Sequence, residues 1–379
     1  MPAISILLPV YNSLKGTKQA NLLPQMLDSV LNQTFRDFEL LIVDNQSTDN
    51  TAEVCKTIAA QDNRVKVYID TERRPAEDAQ SRLMDIAKGE FILLVADDDL
   101  INYYYLETLI DGFNTDKKTD MVYTNGSYIT MENIIMQNLI TSEDGMYGPN
   151  CYANFYKAIH KRNVLGILNG LFRKDILQTL LPYTPFDELG ANMDNLLMAK
   201  FFLNKYNISF INKDMYYYRN RDRSLDPDAL DFMPSNPILI WVYYARHQLH
   251  FYNAVYAIID ETNHGERTEA LKIATLDSCL NQCINLLNWV DRDMVKDVFE
   301  KTVINEIYAQ FKSIYELKLP CLAETPAILT EQQNIMRLRC KILEERVMGY
   351  IKTVVQNTTL VVDTQKVIKK IKEYYSSCK

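Results

Sequence analysis

No run of about 18 apolar residues occurs in the chain, so the sequence predicts no membrane-crossing helix. Its start, MPAISILLPVYN, lacks the charged leader and long apolar stretch of a secretory signal, and no signal peptide is expected. Glycine is scarce, 11 in 379 residues. None of them builds a G-x-G-x-x-G turn after the first strand or a Walker A loop, so any phosphate must be met by a metal or by basic side chains. A basic field is missing as well. The net charge of -8 excludes a protein that attracts nucleic-acid backbones. The seven cysteines are odd in number and irregularly spaced, which excludes a disulfide framework and predicts reduced thiols in a cytoplasmic protein. Triplets such as Asn357-Thr358-Thr359 then carry no glycan. Cys279 and Cys283 lie one helical turn apart, but no nearby histidine or second cysteine pair completes a zinc site.

What is present is the composition of an ordinary folded protein, 47% apolar and 24% charged. The length favours two domains, or one large α/β domain with an appendage. Four short apolar runs occupy the first hundred residues. Ile4 to Leu8 stops at Pro9, and Pro9-Val10-Tyr11-Asn12 then places a tyrosine ring and an amide at a strand's carboxyl end. Phe38 to Val43 ends on Asp44-Asn45-Gln46-Ser47-Thr48-Asp49, a carboxylate followed by a cluster suited to cap a helix over 50–60. Val65 to Ile69 is a third strand. Helical periodicity separates the strands, with Leu23, Met26, Leu27, Val30 and Leu31 on one face and a further helix from Ala76 to Lys88. Such alternation predicts a parallel sheet with ligands at its carboxyl edge.

Phe91 to Leu100, FILLVADDDL, is the most informative stretch. Five apolar residues suit a buried parallel strand, and Asp97, Asp98 and Asp99 then stand at its end. Three like charges there repel unless something positive sits between them. A hard divalent cation carrying substrate phosphates is one answer, since Mg²⁺ takes few protein carboxylates. A solvated acidic turn is the other.

ISILLPVYN, LDSVLNQTFRDFELLIVDNQSTDNT and AKGEFILLVADDD together resemble the nucleotide-sugar-dependent glycosyltransferases of family 2. NGLFRKDI (169–176), the stretch around Phe186-Asp187-Glu188 and Met193-Asp194, and YYYRNRDRSL (216–225) extend the resemblance through about residue 226. It implies the GT-A fold, a Rossmann-like mixed central sheet flanked by helices. It also implies an inverting, metal-dependent transferase. By the resemblance Pro9, Tyr11, Asn12 and Asp44 hold the nucleotide, with Asp44 accepting from the base. Asp98 is the principal ligand of Mn²⁺ or Mg²⁺, with Asp99 beside it and Asp97 on the nucleotide side. Asp194 is the catalytic base. The sequence departs from the family where Ala96 replaces the first acid of D-x-D-D and where Asp44-Asn45-Gln46 replaces Asp-Asp-Gly. It departs again where Ala79-Gln80-Ser81 replaces Ala-Arg-Asn, so that Arg82, or Arg73 and Arg74, supplies the positive charge, and where Met193 replaces the Glu of the final pair. Arg219 or Arg223 is expected on the diphosphate.

Each assignment has a plainer reading. Asp194 suits a helix N-terminus, Asp44 a turn, Tyr216–Tyr218 a packed strand, and Arg219 an exposed strand end. From about residue 227 helical periodicity takes over, giving domains at 1–226 and 227–379, the second an all-α C-terminal domain. There His247 and His250, i,i+3 on one helix, are expected to be structural. The stripe Trp241, Tyr244, Phe251 and Tyr252 is expected to be core or interface. The tail, Lys366 to Lys379, carries five lysines against one glutamate and is amphipathic, suiting either an anionic membrane surface or an oligomer contact. The expected reaction moves a sugar from a UDP-sugar to a glycan or lipid-linked acceptor, in bacterial surface polysaccharide synthesis, in the cytoplasm or peripherally on the inner membrane face. A nucleotidyltransferase and an inactive nucleotide-binding scaffold are the rival readings.

Overall fold

The structure, a computed structural model, describes residues 1–14, 22–72, 76–138, 155, 169–180, 193–204 and 206–220. Further on it describes 251–252, 254–262, 264–272, 274–275 and 278. The chain divides into two compact units, Met1–Phe186 with Met193–Asp222, and Asp187–Asn192 with Arg223–Lys379.

The first unit is built on one mixed sheet. Its described strands are β1 (Ile4–Val10), β2 (Phe38–Asp44), β3 (Val65–Ile69), β4 (Phe91–Leu94), β5 (Leu100–Ile101), β6 (Met121–Ile129), β7 (Ile135–Asn138), β8 (Leu171–Arg173) and β9 (Ile208–Arg219). They lie in the order β3-β2-β1-β4-β8-β6-β9-β5, with β7 hydrogen-bonded to β6. The helices are α1 (Leu22–Leu31), α2 (Thr51–Gln61), α3 (Ala76–Ile86), α4 (Tyr105–Thr115), α5 (Lys174–Leu180) and α6 (Met193–Leu203). β3, β2, β1 and β4 run parallel. β8 then reverses direction against β4, and β6 reverses again against β8. The fold is the expected α/β one. The mixed character comes from strands that β1 to β4 do not announce.

Both faces of β1, β2 and β4 are covered, which is why they read as continuous apolar runs. On one face Leu23, Met26, Leu27 and Val30 of α1 are fully buried against Ile4, Ile6, Leu8, Leu40, Ile42 and Leu93. On the other, at the amino ends of the strands, sits a buried polar network. Ser5 Oγ donates to Glu39 Oε1 at 2.8 Å, the Lys88 N–H donates to the same oxygen at 2.7 Å, and Lys66 Nζ donates to Oε2 at 2.6 Å. α3 therefore ends at Ile86 rather than Lys88, because the Lys88 and Gly89 amides turn inward to Ser5 and Glu39. A Cβ on Gly89 would stand 2.5 Å from the Ser5 nitrogen, so only glycine lets the chain enter β4 there.

β9 is twelve residues long. It pairs in parallel with β6, shifts register on either side of Asn125, and continues until Tyr216 and Tyr217 pair with Ile101 and Leu100 of β5. Its far end is thereby carried to the acidic turn between β4 and β5. In the second unit the described residues are helical around a short 3-10 turn at Gly265–Arg267. Phe251 and Tyr252 are buried with their rings edge to face at 4.8 Å, as core rather than as a sugar platform. Trp241, Tyr244, His247, His250, Cys279, Cys283 and the basic tail lie outside the described residues. Among the described residues no helix is long and apolar enough to cross a membrane.

Two stability predictions follow from the network. Gly89→Ala costs about 3 kcal/mol in denaturant unfolding, since backbone rather than a movable side chain must yield. Burial pushes the Glu39 carboxyl up, but Lys66, the Lys88 N–H and Ser5 outweigh it and hold Glu39 below the ordinary value of 4.5. Its contribution is therefore complete above pH 4.5 and is lost as the pH falls through the lower folded value. Glu39→Gln, compared with wild type across pH 3 to 6 (roughly), should flatten that acid limb.

Candidate active site

From β1 the chain winds outward through β2 to β3, then returns to place β4 on the other side of β1. The strand order reverses between β1 and β4, and the carboxyl ends on either side of that point form a crevice. Three segments meet there: Pro9 to Leu14 after β1, Asp44 to Asp49 at the end of β2, and Asp97 to Asp99 after β4.

The first two segments are sewn together by side chains. The Asn12 N–H donates to Ser47 Oγ at 2.9 Å, the Ser13 N–H to Thr51 Oγ1 at 2.9 Å, and the Leu14 N–H to Asp49 Oδ2 at 3.0 Å. In return the Thr48 N–H donates to Asn12 Oδ1 at 2.8 Å. Three successive amides that a glycine-rich loop would offer to phosphate are thus taken by protein oxygens. Asn12 was expected at the ligand. In the structure it is buried and builds the loop, with φ at 47° and its amide oxygen accepting the Thr48 N–H. Gln46 stands where the family carries glycine and adopts the left-handed conformation at φ 64°, steadied by its Nε2 donating to the Thr71 carbonyl.

Asp44 is 1% exposed. Its Oδ1 accepts the Ser47 N–H at 2.9 Å, while Oδ2 is buried with no hydrogen-bond partner. An unsatisfied buried acceptor is costly, and a ligand N–H arriving there would remove the cost. Pro9 and Tyr11 flank it from β1, both half-buried. Beneath the crevice lies Cys55, fully buried. Burial first, then the charges of Asp44, Asp97 and Asp49, push its thiol up to about 12, so it stays protonated and unreactive.

The three aspartates of the acidic turn have three different surroundings. Asp97 accepts from the Ser13 hydroxyl across the crevice. Asp98 is 8% exposed. Asp99 is buried, with Oδ2 accepting the Tyr216 hydroxyl at 2.5 Å and Oδ1 the Arg219 N–H at 2.8 Å. Burial, then the neighbouring Asp98 charge, raises the Asp99 carboxyl well above the usual carboxylate range. Asp99, expected beside a metal, has each oxygen hydrogen-bonded to β9 and so fastens the turn. Arg219, expected on a diphosphate, donates to the chain's own carbonyls. Its guanidinium is buried, Nε donating to the Asp98 carbonyl at 2.7 Å and Nη1 to the carbonyls of Thr130 and Met131 at 2.8 and 3.1 Å.

Among the described residues no three His, Cys, Asp or Glu side chains group to hold a metal by themselves. Asp97 and Asp98 remain as donors, and a pair of carboxylates fits a Mg²⁺- or Mn²⁺-type cation that completes its shell with substrate phosphates and water. Arg82, half-exposed on α3, forms an ion pair with Asp70, which is buried at the end of β3, its N–H donating to the Asp44 carbonyl at 2.9 Å. Sequence reading missed Asp70, although an acid directly after an apolar strand is the same signal that marked Asp44. Asp194 lies in the first turn of α6. Its side chain, like Arg73, Arg74 and Arg223, lies outside the described residues.

A switch-point crevice with a buried carboxylate on one side and an acidic turn on the other belongs to an α/β fold of the GT-A kind. Residues 5–180 match the model of Glycosyl transferase family 2, and the chain carries a family 2 glycosyltransferase domain with the GT-A fold. GlyG, a glycosyltransferase of Streptococcus pneumoniae serotype 4, is 28% identical over 243 residues, covering 59% of this chain and 72% of GlyG. A GalNAc(5)-diNAcBac-PP-undecaprenol beta-1,3-glucosyltransferase of Campylobacter jejuni is 29% identical over 115 residues, 30% of this chain and 35% of that protein. S. aureus TarS shares the fold with a TM-score of 0.60 and 16% identity over 93% of this chain and 55% of TarS. Its residues 1–349 in complex with UDP-GlcNAc align at 0.58 and 17% identity, covering 91% of each.

Asn12→Ala removes the acceptor for Thr48 and puts alanine at a positive φ. We expect a loss of about 2 kcal/mol in denaturant unfolding, read from the midpoint at unchanged slope.

Proposed function

We propose that this glycosyltransferase moves a sugar from a UDP-sugar to a glycan or lipid-linked acceptor, with inversion at the anomeric carbon. The observation that carries the donor reading is the buried, unpartnered Oδ2 of Asp44, adjoining the acidic turn at the switch point. A uracil ring presents an imide N–H to such an oxygen, and Pro9 and Tyr11 supply the flanking surface. The fold shared with a TarS structure in complex with UDP-GlcNAc supports the same choice.

Asp98, with Asp97 beside it, would hold Mn²⁺ or Mg²⁺, which when bound supplies Lewis-acid stabilisation of the diphosphate leaving group. The chain's own residues do the rest. Asp44 orients the base, Arg82 on its Asp70 anchor adds positive charge at the base end, and Asp194 takes the proton from the acceptor hydroxyl. A base opposite the leaving group gives a single in-line displacement. Lipid-linked acceptors are consistent with the similarity to an enzyme named for an undecaprenol-linked substrate. The setting we infer is bacterial surface polysaccharide synthesis at the cytoplasmic face of the membrane, with the basic tail as a peripheral contact.

A thermal-shift panel of nucleoside diphosphates, with and without Mn²⁺, tests the donor. UDP should raise the melting point by mass action, more with the metal, and Asp44→Ala should abolish the response. No shift with any nucleotide contradicts the proposal. Once the donor is known, Asp194→Asn should lower kcat by about 10²–10⁴-fold while leaving UDP affinity unchanged. An unchanged kcat removes Asp194 from the mechanism.

A further inference from the structure

Arg219 is the largest side chain that the described residues bury fully. A buried guanidinium is costly unless its donors are satisfied, and burial depresses the group against the opposing charges of Asp98, Asp99 and Glu132. Such a residue adds little to stability, so what it ties together becomes the informative feature. Nε holds the Asp98 carbonyl, Nη1 holds the Thr130 and Met131 carbonyls, and Nη2 reaches Gln25 Oε1 at 3.5 Å. Its own N–H holds Asp99.

Three of these acceptors are main-chain carbonyls from two different loops. One loop is the acidic turn. The other is the β6–β7 hairpin, closed by the Thr130 N–H on the Ile134 carbonyl and turned by Asn133 at φ 65°. Gln25 joins in from α1, accepting from both Arg219 and Asn133 Nδ2. One planar fork with fixed donor directions thereby sets the backbone of both loops. Lysine, a single flexible point charge, has no such geometry.

We propose that Arg219 is a positioning residue: it sets the place of Asp98 relative to the sheet and couples that setting to the hairpin 130–134. The catalytic part of this rests on the donor reading above. Because Arg219 grips the Thr130 and Met131 backbone directly, the main tie does not depend on which side chains the hairpin carries, and Asn133 through Gln25 adds to it. Ligand binding at Asp98 therefore also stiffens the hairpin.

The test uses the full chain and Arg219→Lys. Without any ligand, hydrogen exchange should show the amides of 98–102 and 130–134 losing protection together, by about tenfold or more, while β1 is unchanged. An acidic turn that keeps its protection overturns the proposal. This arm needs no nucleotide, so it stands even if the donor reading fails. Calorimetric titration with UDP then separates roles. Metal-free UDP affinity should stay within about twofold of wild type, while the gain on adding Mn²⁺ falls by about tenfold or more. A variant that keeps the Mn²⁺ gain, or that loses metal-free UDP binding equally, contradicts positioning. A wild type with no UDP response sinks the donor reading alone, and the exchange result then decides the tie. Should Arg219→Lys not fold, exchange on wild type with UDP and Mn²⁺ replaces it. Protection must rise in the hairpin as well as in the turn, and a rise confined to the turn contradicts the coupling.

Discussion

Negative charge gathered at the carboxyl ends of β2 and β4 is the constraint to which the surrounding residues answer. Two carboxylates about 5 Å apart repel by about 3 kcal/mol at an effective dielectric of about 20. An unsupported Asp97-Asp98-Asp99 turn would relieve that by moving into water. It is prevented by different means at each position: the Ser13 hydroxyl at Asp97, a carbonyl pinned by Arg219 at Asp98, and Tyr216 with the Arg219 N–H at Asp99. Asp99 also sheds part of the strain through its raised carboxyl, driven by burial and by Asp98. Charge held against its own repulsion in this way is preorganised for a cation.

The supports come from the mixed half of the sheet, beyond β4. β9 begins beside β6, shifts register at Asn125, and delivers Tyr216 and Arg219 to the turn. The parallel half supplies the other wall, where side chains of the β2–α2 segment take the backbone amides that follow β1 and leave one Asp44 oxygen without a partner. A chain poor in glycine thus builds this crevice from side-chain hydrogen bonds. Asn12 and Gln46 bear the backbone strain at positive φ.

Much of this was legible beforehand. β1 to β4 stood out because strands covered on both faces are apolar without interruption, and Asp44 and Asp97–Asp99 stood out as acids at their ends. The departures lie where partners are far apart in the chain. Asp99 meets Tyr216 across 117 residues and Arg219 across 120. Nothing local to DDDL shows that one of its acids is fastened to a strand. Arg219 reads as a strand-end charge because burial of a guanidinium depends on carbonyls from other loops. The place of Asn12 is non-local for a related reason: its positive φ turns its amide onto Thr48 of the next strand's loop. Asp70 carried the same local signal as Asp44, an acid directly after an apolar run, and was passed over.

The central claim is that the crevice between β1 and β4 holds a UDP-sugar and breaks its bond to the diphosphate. Release of free UDP from a panel of UDP-sugars in the presence of Mn²⁺ tests it most directly. The account predicts release from at least one sugar by the wild type, and its loss in both Asp44→Ala and Asp98→Ala with the fold retained. UDP release that survives either substitution, or none from any donor while the folded protein binds UDP, would contradict it.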